Sequence, residues 1–139
     1  MAVRARTFDF AVELDASGEV SGDRGGTPLP GAERDAWTPE HLVLAGLARC
    51  TVASFAFHAE RAGLAHRCAA SATGRVTRRE SDGRYAFVEI AVAVEATLEP
   101  EPEPAELAEL LVRAKRDCFV GASLAIEPTT TWTVNGRQR

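Results

Sequence analysis

The chain has 139 residues, of which 45% are hydrophobic and 26% charged, and a net charge of −4 at pH 7. This profile predicts a soluble globular protein with one domain over residues 1–139. The lack of Lys and Arg clusters argues against a nucleic-acid partner, because phosphate binding needs clustered cations. The N-terminal residues show no signal peptide, and the longest apolar run, residues 42–57, is too short for a membrane span and contains Arg49. We therefore expect a cytoplasmic protein with reduced cysteines and no membrane partner.

The N-terminal part of the chain is typical of a β-hairpin followed by a long loop. Residues 6–14 mix Thr, Phe and Val with polar residues and predict a strand. Residues 15–18 predict a turn, and residues 19–21 predict a short strand that pairs back. Residues 22–37 are rich in Gly, Pro and charge and predict an irregular loop. Loops of this length are uncommon in compact domains and are often functional.

A long apolar helix is predicted over residues 38–62. Thr38 can cap its start, Pro39 fits its first turn, and Glu40 favours the positive end of the helix dipole. Gly63 supplies a stop signal. Apolar side chains surround the middle of this segment on nearly all sides, which predicts that the helix is buried.

The second half of the chain predicts two long strands, a helix and a final strand. Residues 67–79 and 84–98 are expected to form a hairpin around an Asp-Gly turn. Alternation in the second strand predicts four core-facing side chains, Val88, Ile90, Val92 and Val94. After Pro104 four apolar residues at helical spacing predict a second helix, namely Leu107, Leu110, Leu111 and Ala114. Residues 118–121 close this helix or open a short further one, and residues 129–134 predict a last strand before a polar tail.

The predicted order β-β-α-β-β-α-β indicates an α+β protein with an antiparallel sheet packed against a long buried central helix. A sheet of this size is too small to cover so apolar a helix alone. We therefore expect a homodimer that buries the remainder of the helix.

Three cysteines are the candidates for chemistry. Cys50 lies in the middle of the apolar helix, Cys118 follows the second helix, and Cys68 lies at the start of a strand without a distinguishing feature. Packing is the default role for such thiols, because free Cys is among the most buried residue types, whereas a nearby cation makes a thiol nucleophilic. No Cys-x-x-Cys or His-x-x-x-His motif occurs, so we expect no metal and no cofactor. His58 is interpreted as a helix-end histidine near solvent.

Two motifs resemble those of the OsmC/Ohr family of thiol-dependent peroxidases. Residues 38–51, TPEHLVLAGLARCT, resemble the family pattern Asn-Pro-Glu-x-Leu followed by an Ala-rich stretch and a Cys ten residues after the Glu. Residues 117–124, DCFVGASL, resemble the second motif, Cys-Pro-x-Ser followed by Leu, with Phe119 and Gly121 in place of Pro and Ser. The resemblance extends over nearly the whole chain. It implies a single OsmC-like domain in an intertwined homodimer.

The resemblance also implies a mechanism. Cys50 as thiolate would attack an organic hydroperoxide and become a sulfenic acid, and Cys118 would condense with it to a disulfide. A dithiol reductant would then restore both thiols. In the family an Arg from the N-terminal region activates the first thiol and is held by the Glu of the first motif, which is Glu40 here. The corresponding residue in this chain is predicted to be Arg24, with Arg34 as the alternative.

Helix geometry adds a constraint on the first motif. Glu40 and Cys50 are about 15 Å apart along one helix and on different faces, so Glu40 can work at Cys50 only from another subunit.

Two alternative functions stay open. The departures at Phe119 and Gly121 are compatible with a catalytically drifted relative that binds a small apolar ligand, and the same cysteines would serve a thiol redox sensor.

Overall fold

A computed structural model of the chain describes residues 5–33 and 35–139. The chain divides into two compact units, Met1–His41 and Leu42–Arg139. The interpretation of residues 1–139 as one domain stays a prediction.

The first unit contains the predicted hairpin, with a shorter first strand than expected. Strand β1, Val12–Leu14, pairs antiparallel with β2, Val20–Gly22. In the turn between them the Asp15 carboxylate accepts hydrogen bonds from the backbone of Ser17 and Glu19. The strand expected over residues 6–14 is reduced to three residues, because its partner strand is itself only three residues long.

The predicted long helix is present as α1, Pro39–Arg61. Thr38 caps it as expected, because its hydroxyl accepts a hydrogen bond from the backbone N–H of His41. Gly63 ends it with a φ of 73°, the left-handed conformation that favours glycine. The local signals in the sequence therefore located both ends of this helix to within one residue.

Within one chain the core covers one side of α1. The buried residues of the helix are Leu47, Thr51, Ser54, Phe55 and Ala59. Leu42, Val43 and Phe57 are 40%, 37% and 52% exposed. The sheet of a single chain therefore leaves part of this apolar helix uncovered, as expected, and burial of the remainder by a second copy stays a prediction.

The full length of α1 also weakens the sequence argument against a membrane span. The helix has 23 residues, and an 18-residue window within it has a mean hydropathy of 1.5. By length and composition alone it could cross a membrane, although a core helix of a soluble protein has the same properties. The fold is compatible with a soluble protein.

The second unit contains a four-stranded sheet in the order β3-β4-β5-β6. Its strands are β3, Ala65–Arg78; β4, Tyr85–Glu99; β5, Thr129–Val134; and β6, Arg137–Gln138. β3 pairs antiparallel with β4, and β5 pairs antiparallel with β6, but β4 and β5 are parallel. The expected antiparallel sheet is therefore a mixed sheet, because the helical connection after β4 returns the chain to the same end of the sheet.

The core lies between the sheet and the helices. On β4 the expected inward side chains Ile90, Val92 and Val94 are buried, whereas Val88 is 37% exposed. Helix α2, Pro104–Arg116, buries all four of the apolar residues predicted for it, and a short helix α3, Phe119–Ala122, follows directly. The second of the two possibilities for residues 118–121 is thus the correct one.

The C-terminal hairpin was missed at the sequence level. Residues 135–137 were interpreted as a polar tail, but Asn135 and Gly136, with φ of 51° and 77°, form the turn into β6. The Asn135 side chain accepts a hydrogen bond from the Leu98 backbone N–H and donates one to the Leu98 carbonyl. Asn-Gly is a strong hairpin signal, so the sequence contained the information for this turn.

Candidate active site

Helix α3 brings two of the three cysteines together. Cys118 is the N-cap residue of α3, and its Sγ accepts a hydrogen bond from the backbone N–H of Gly121 at 3.4 Å. The preceding N–H, that of Val120, donates to Sγ of Cys50 at 3.5 Å. Two consecutive amides of one short helix therefore hold the sulfurs of two residues that are far apart in the chain.

The Cys118 thiol has a dry environment. It is 4% exposed, and this burial raises the pKa of the Cys118 thiol. The hydrogen bond from the Gly121 N–H lowers the pKa of the Cys118 thiol, while a hydrogen bond with the Cys50 thiol raises it. The contact between the two thiols is what a pair that forms a disulfide requires. Cys50 itself is half-buried at the edge of the core.

A row of polar side chains on α1 faces the cysteine pair and α2. The Thr51 hydroxyl donates to the Leu47 carbonyl and lies 3.8 Å from Sγ of Cys118. One turn further along, the Ser54 hydroxyl donates to the Ala114 carbonyl at 2.7 Å. Thr51 and Ser54 were missed in the sequence, where the four-residue spacing from Leu47 to Thr51 could have placed Thr51 on a core-facing side.

His58 continues this row and corrects another expectation. Its Nε2 lies 2.8 Å from Oδ2 of Asp117, and the His58 side chain is only 12% exposed. The histidine expected near solvent therefore contacts the residue that precedes Cys118. Hydrogen bonds from Arg116, and secondarily from His58, hold the pKa of the Asp117 carboxyl below its usual value. The pair connects the last turns of α1 to the segment that carries Cys118.

A cavity of about 520 Å³ lies beside Cys118. Leu47, Val92 and Trp132 contribute apolar walls, and Lys115 lines it near the surface. Volumes of this size are typical of small-molecule sites.

The other residues predicted for the site belong to the first unit or fall outside the described residues. Glu40 is exposed in the first turn of α1. Arg24 lies in the first unit, with its guanidinium 4.7 Å from the centre of the Phe10 ring and in a hydrogen bond with the Asp9 carbonyl. Arg34 falls outside the described residues. The roles of these three residues stay predictions.

Cys68, which was given no role, lies on β3 opposite Ala96. It is partly buried, and burial raises the pKa of the Cys68 thiol to about 11. A thiol of this kind is almost entirely protonated at neutral pH.

These features define an α+β fold in which two of the three cysteines have their sulfurs at one short helix. The chain belongs to the OsmC-like protein family, whose model matches residues 31–133. No curated protein matches the chain significantly.

Solved structures with the same fold include two whose descriptions name organic hydroperoxide resistance. An OsmC-like protein from Mycoplasma pneumoniae has 17% identity and a TM-score of 0.69, with 94% of this chain and 99% of that chain covered. An organic hydroperoxide resistance protein from Elizabethkingia anophelis, with crystallant-derived thiocyanate bound, has 19% identity, a TM-score of 0.66 and coverage of 95% and 100%. An organic hydroperoxide resistance protein from Legionella pneumophila has 17% identity, a TM-score of 0.61 and coverage of 94% and 98%. At these identities the similarity shows a shared fold.

Proposed function

We propose that this protein is a thiol-dependent peroxidase that reduces organic hydroperoxides through Cys50 and Cys118. The observation that carries the proposal is that adjacent backbone N–H groups of α3 donate to the sulfurs of Cys50 and Cys118. Membership of the OsmC-like family and the fold shared with proteins named for organic hydroperoxide resistance support the same function.

The proposed reaction has three steps. The Cys50 thiolate attacks the outer oxygen of the hydroperoxide, the O–O bond breaks, and the alkoxide leaves as the alcohol after protonation. Cys118 then attacks the sulfenic acid of Cys50, forming the Cys50–Cys118 disulfide and releasing water. A dithiol reduces the disulfide and returns both thiols.

Backbone contacts of α3 support the proposed condensation step despite the two departures from the second family motif. Phe119 stands where the motif has Pro, and Gly121 where it has Ser, yet the amides of α3 reach both sulfurs. The Thr51 hydroxyl, 3.8 Å from Sγ of Cys118, adds a polar neighbour on the opposite element. The α3 backbone therefore supplies contacts that do not depend on the side chains at the two changed positions.

The activating cation is proposed to be Arg24, with Arg34 as the alternative, because only a thiolate attacks the peroxide. The rate of hydroperoxide consumption by Arg24→Gln and by Arg34→Gln distinguishes the two assignments. We expect loss of activity in Arg24→Gln and full activity in Arg34→Gln. Loss of activity in Arg34→Gln with full activity in Arg24→Gln would reverse the assignment.

A homodimer in the cytoplasm is the proposed state of the protein. Leu42, Val43 and Phe57 on α1 are exposed in the single chain, and a second copy would cover them. Light scattering should give twice the 14.9 kDa mass of the chain, and a monomer at micromolar concentration would contradict the dimer.

The proposed function is tested by comparing the hydroperoxide consumption of three single Cys→Ser variants. With cumene hydroperoxide and dithiothreitol, Cys50→Ser should abolish turnover. With the hydroperoxide alone, Cys118→Ser should consume about one equivalent and stop at a sulfenic acid that dimedone traps. Cys68→Ser is the matched control and should keep full activity. Turnover by Cys50→Ser at the wild-type rate would disprove the proposed mechanism.

A second candidate function is binding of a small apolar ligand by a catalytically drifted protein. The cavity of about 520 Å³ with its apolar walls favours it. In that case the wild-type protein would consume no hydroperoxide, and Cys50→Ser would bind an apolar fluorescent probe as tightly as the wild type does.

A further inference from the structure

A second cavity, of about 670 Å³, lies between the end of α1 and one side of α2. α1 contributes His58, Arg61 and Ala62 to its wall, and residues 100–103, which connect β4 to α2, line it as well. Among the residues that the structure describes, no cysteine belongs to this wall. The cavity is therefore separate from the cysteine pair, and its volume is typical of small-molecule sites.

The charges on this side of α2 change sign along the helix. Glu103 and Glu106 lie at its first turn, whereas Arg113 and Arg116 lie at its last turn. Glu106 and Arg113 are seven residues apart, which places them on one side of the helix and about 10 Å apart along its axis. All four residues line the cavity. One end of the cavity is therefore acidic and the other end basic.

Arg61 supplies an unpaired guanidinium at the basic end. It follows His58 by three residues on α1, so the two side chains project from the same side of that helix, and His58 contacts Asp117 at the end of α2 at 2.8 Å. Arg116 is already paired with Asp117 at 2.9 Å. The Arg61 guanidinium instead lies 5.4 Å from the centre of the Phe57 ring, and no carboxylate of the described residues pairs with it. Arg61 can therefore bind an anionic group.

The acidic end has unpaired carboxylates. Glu103 and Glu106 are exposed, and neither forms an ion pair within the described part of the chain. The Glu103 side chain also makes no capping hydrogen bond to α2. Glu109, further along α2, is already paired with Arg113 at 2.5 Å. A molecule in the cavity would therefore meet two unpaired carboxylates at one end and an unpaired guanidinium at the other.

Apolar side chains line the space between the two ends. Leu110, which lies between Glu106 and Arg113 on α2, is buried, and Leu64 and Pro102 are half-buried. An apolar side chain of a ligand would be removed from water at this position. Such a contact adds affinity that exposed ion pairs alone do not supply.

We propose that this cavity binds a short peptide of about three residues with free termini. Its ammonium group contacts Glu103 and Glu106, its carboxylate contacts Arg61, and an apolar side chain packs on Leu110. An extended chain of three residues spans about 10 Å, which matches the separation of Glu106 and Arg113. A single amino acid carries both charges on one carbon and is too short to reach both ends. The inference goes beyond the proposed peroxidase function and does not depend on it.

Blocking one terminus at a time tests the recognition of both charges. Isothermal titration calorimetry compares Ala-Leu-Ala with its N-acetyl form, its C-terminal amide and free leucine. We expect one Ala-Leu-Ala per chain, and each of the other three ligands should bind at least about fivefold more weakly, because it loses an ion pair. A blocked peptide or leucine that binds as tightly as Ala-Leu-Ala, or no binding of Ala-Leu-Ala at millimolar concentration, would refute the site.

Substitutions in the cavity wall assign each terminus to its partner. Arg61→Gln should weaken binding of Ala-Leu-Ala by about fivefold but leave the affinity for the amide unchanged, because the amide has no carboxylate. Glu103→Gln combined with Glu106→Gln should weaken binding of Ala-Leu-Ala and leave the affinity for the N-acetyl form unchanged. Arg49→Gln, at an exposed position of α1 outside the cavity wall, is the matched control and should bind as the wild type does. An equal loss in Arg61→Gln for both peptides, or an equal loss in Arg49→Gln, would contradict the assignment.

Peptide binding and peroxidase activity can be measured separately. Cys50→Ser should bind Ala-Leu-Ala with the wild-type affinity, because the cavity wall does not include Cys50. A wild-type protein that binds the peptide but consumes no hydroperoxide would disprove the peroxidase and keep the peptide site. A wild-type protein that consumes hydroperoxide but does not bind the peptide would do the reverse.

Discussion

At the scale of single residues, the three cysteines differ in the hydrogen bonds and burial of their thiols, although the sequence alone shows no such difference. Cys50 and Cys118 share hydrogen bonds with α3, while Cys68 lies on β3. Burial raises the pKa of both the Cys68 and the Cys118 thiols. Chemical labelling can therefore distinguish these positions.

Cys68 should react slowly with alkylating agents at neutral pH. Its pKa of about 11, against an ordinary value of 9.0, lowers the thiolate fraction at neutral pH roughly 100-fold. Because burial favours the neutral form, the alkylation rate should keep rising with pH up to about 11. Iodoacetamide labelling of a protein with Cys50→Ser and Cys118→Ser, followed by mass spectrometry from pH 7 to 11, measures this. A rate that levels off near pH 9 would contradict the prediction.

Two glycines should differ in how strongly an alanine substitution destabilises the fold. A Cβ at Gly121 would lie 3.4 Å from Sγ of Cys118, an ordinary contact, so Gly121→Ala should change the free energy of unfolding by less than about 1 kcal/mol. A Cβ at Gly74 would lie 2.6 Å from the Phe87 ring and 3.3 Å from Leu44. Gly74→Ala should therefore destabilise the fold by about 1–3 kcal/mol. Urea denaturation compares the pair, and equal midpoints would contradict the packing argument.

At the scale of elements, the junction between α2 and α3 determines where Cys118 lies. Asp117 ends α2, Cys118 begins α3, and His58 on α1 contacts Asp117 at 2.8 Å. The Ser54 hydroxyl adds a second connection from α1 to the carbonyl of Ala114 on α2. These contacts hold the segment that carries one sulfur against the helix that carries the other.

Loss of the His58 contact should slow disulfide formation more than the reaction with peroxide. His58→Ala frees the Asp117 side of the junction, so condensation of Cys118 with the Cys50 sulfenic acid should slow by roughly tenfold, while sulfenic acid formation keeps its rate. Stopped-flow peroxide consumption and quenched mass spectrometry separate the two steps.

His66→Ala is the matched control for this experiment. His66, at the start of β3, lies 3.2 Å from Glu60 in a similar histidine–carboxylate pair. An equal loss in both variants would indicate general destabilisation and contradict a positioning role for His58.

At the scale of the whole molecule, the proposed role of Glu40 depends on the proposed second chain. α1 is one helix from Pro39 to Arg61, so Glu40 and Cys50 stay about 15 Å apart along it. The exposed apolar residues Leu42, Val43 and Phe57 lie on the same helix. A dimer formed through α1 would both cover these residues and bring Glu40 of one subunit to the site of the other.

Mixed dimers test whether Glu40 acts across subunits. Glu40→Gln and Cys50→Ser proteins, each with low activity, should together recover about a quarter of wild-type activity after unfolding and refolding as a 1:1 mixture, because half of the dimers then hold one complete site of two. Refolding each variant alone is the control. No recovery, although mass spectrometry shows mixed dimers, would contradict action in trans.

Local patterns along the chain were enough to predict most of the elements and the family. The Thr38 cap, the Gly63 stop and the alternation along β4 are local signals, because each acts within a few residues of backbone. The two motifs around Cys50 and Cys118 likewise identified the family that the comparison with known proteins shows. The Asn135–Gly136 turn is also encoded locally, because Asn-Gly is a strong hairpin signal.

Contacts between distant segments could not be predicted from such patterns and are known from the folded chain. His58 meets Asp117 across 59 positions of sequence, and the Val120 amide meets Cys50 across 70. Three other features also depend on contacts between distant segments: the parallel pairing of β4 with β5, the exposed side of α1 and the cavity at Cys118. Periodicity indicates which side of an element is apolar, but which other segment meets that side is decided by packing of the whole chain.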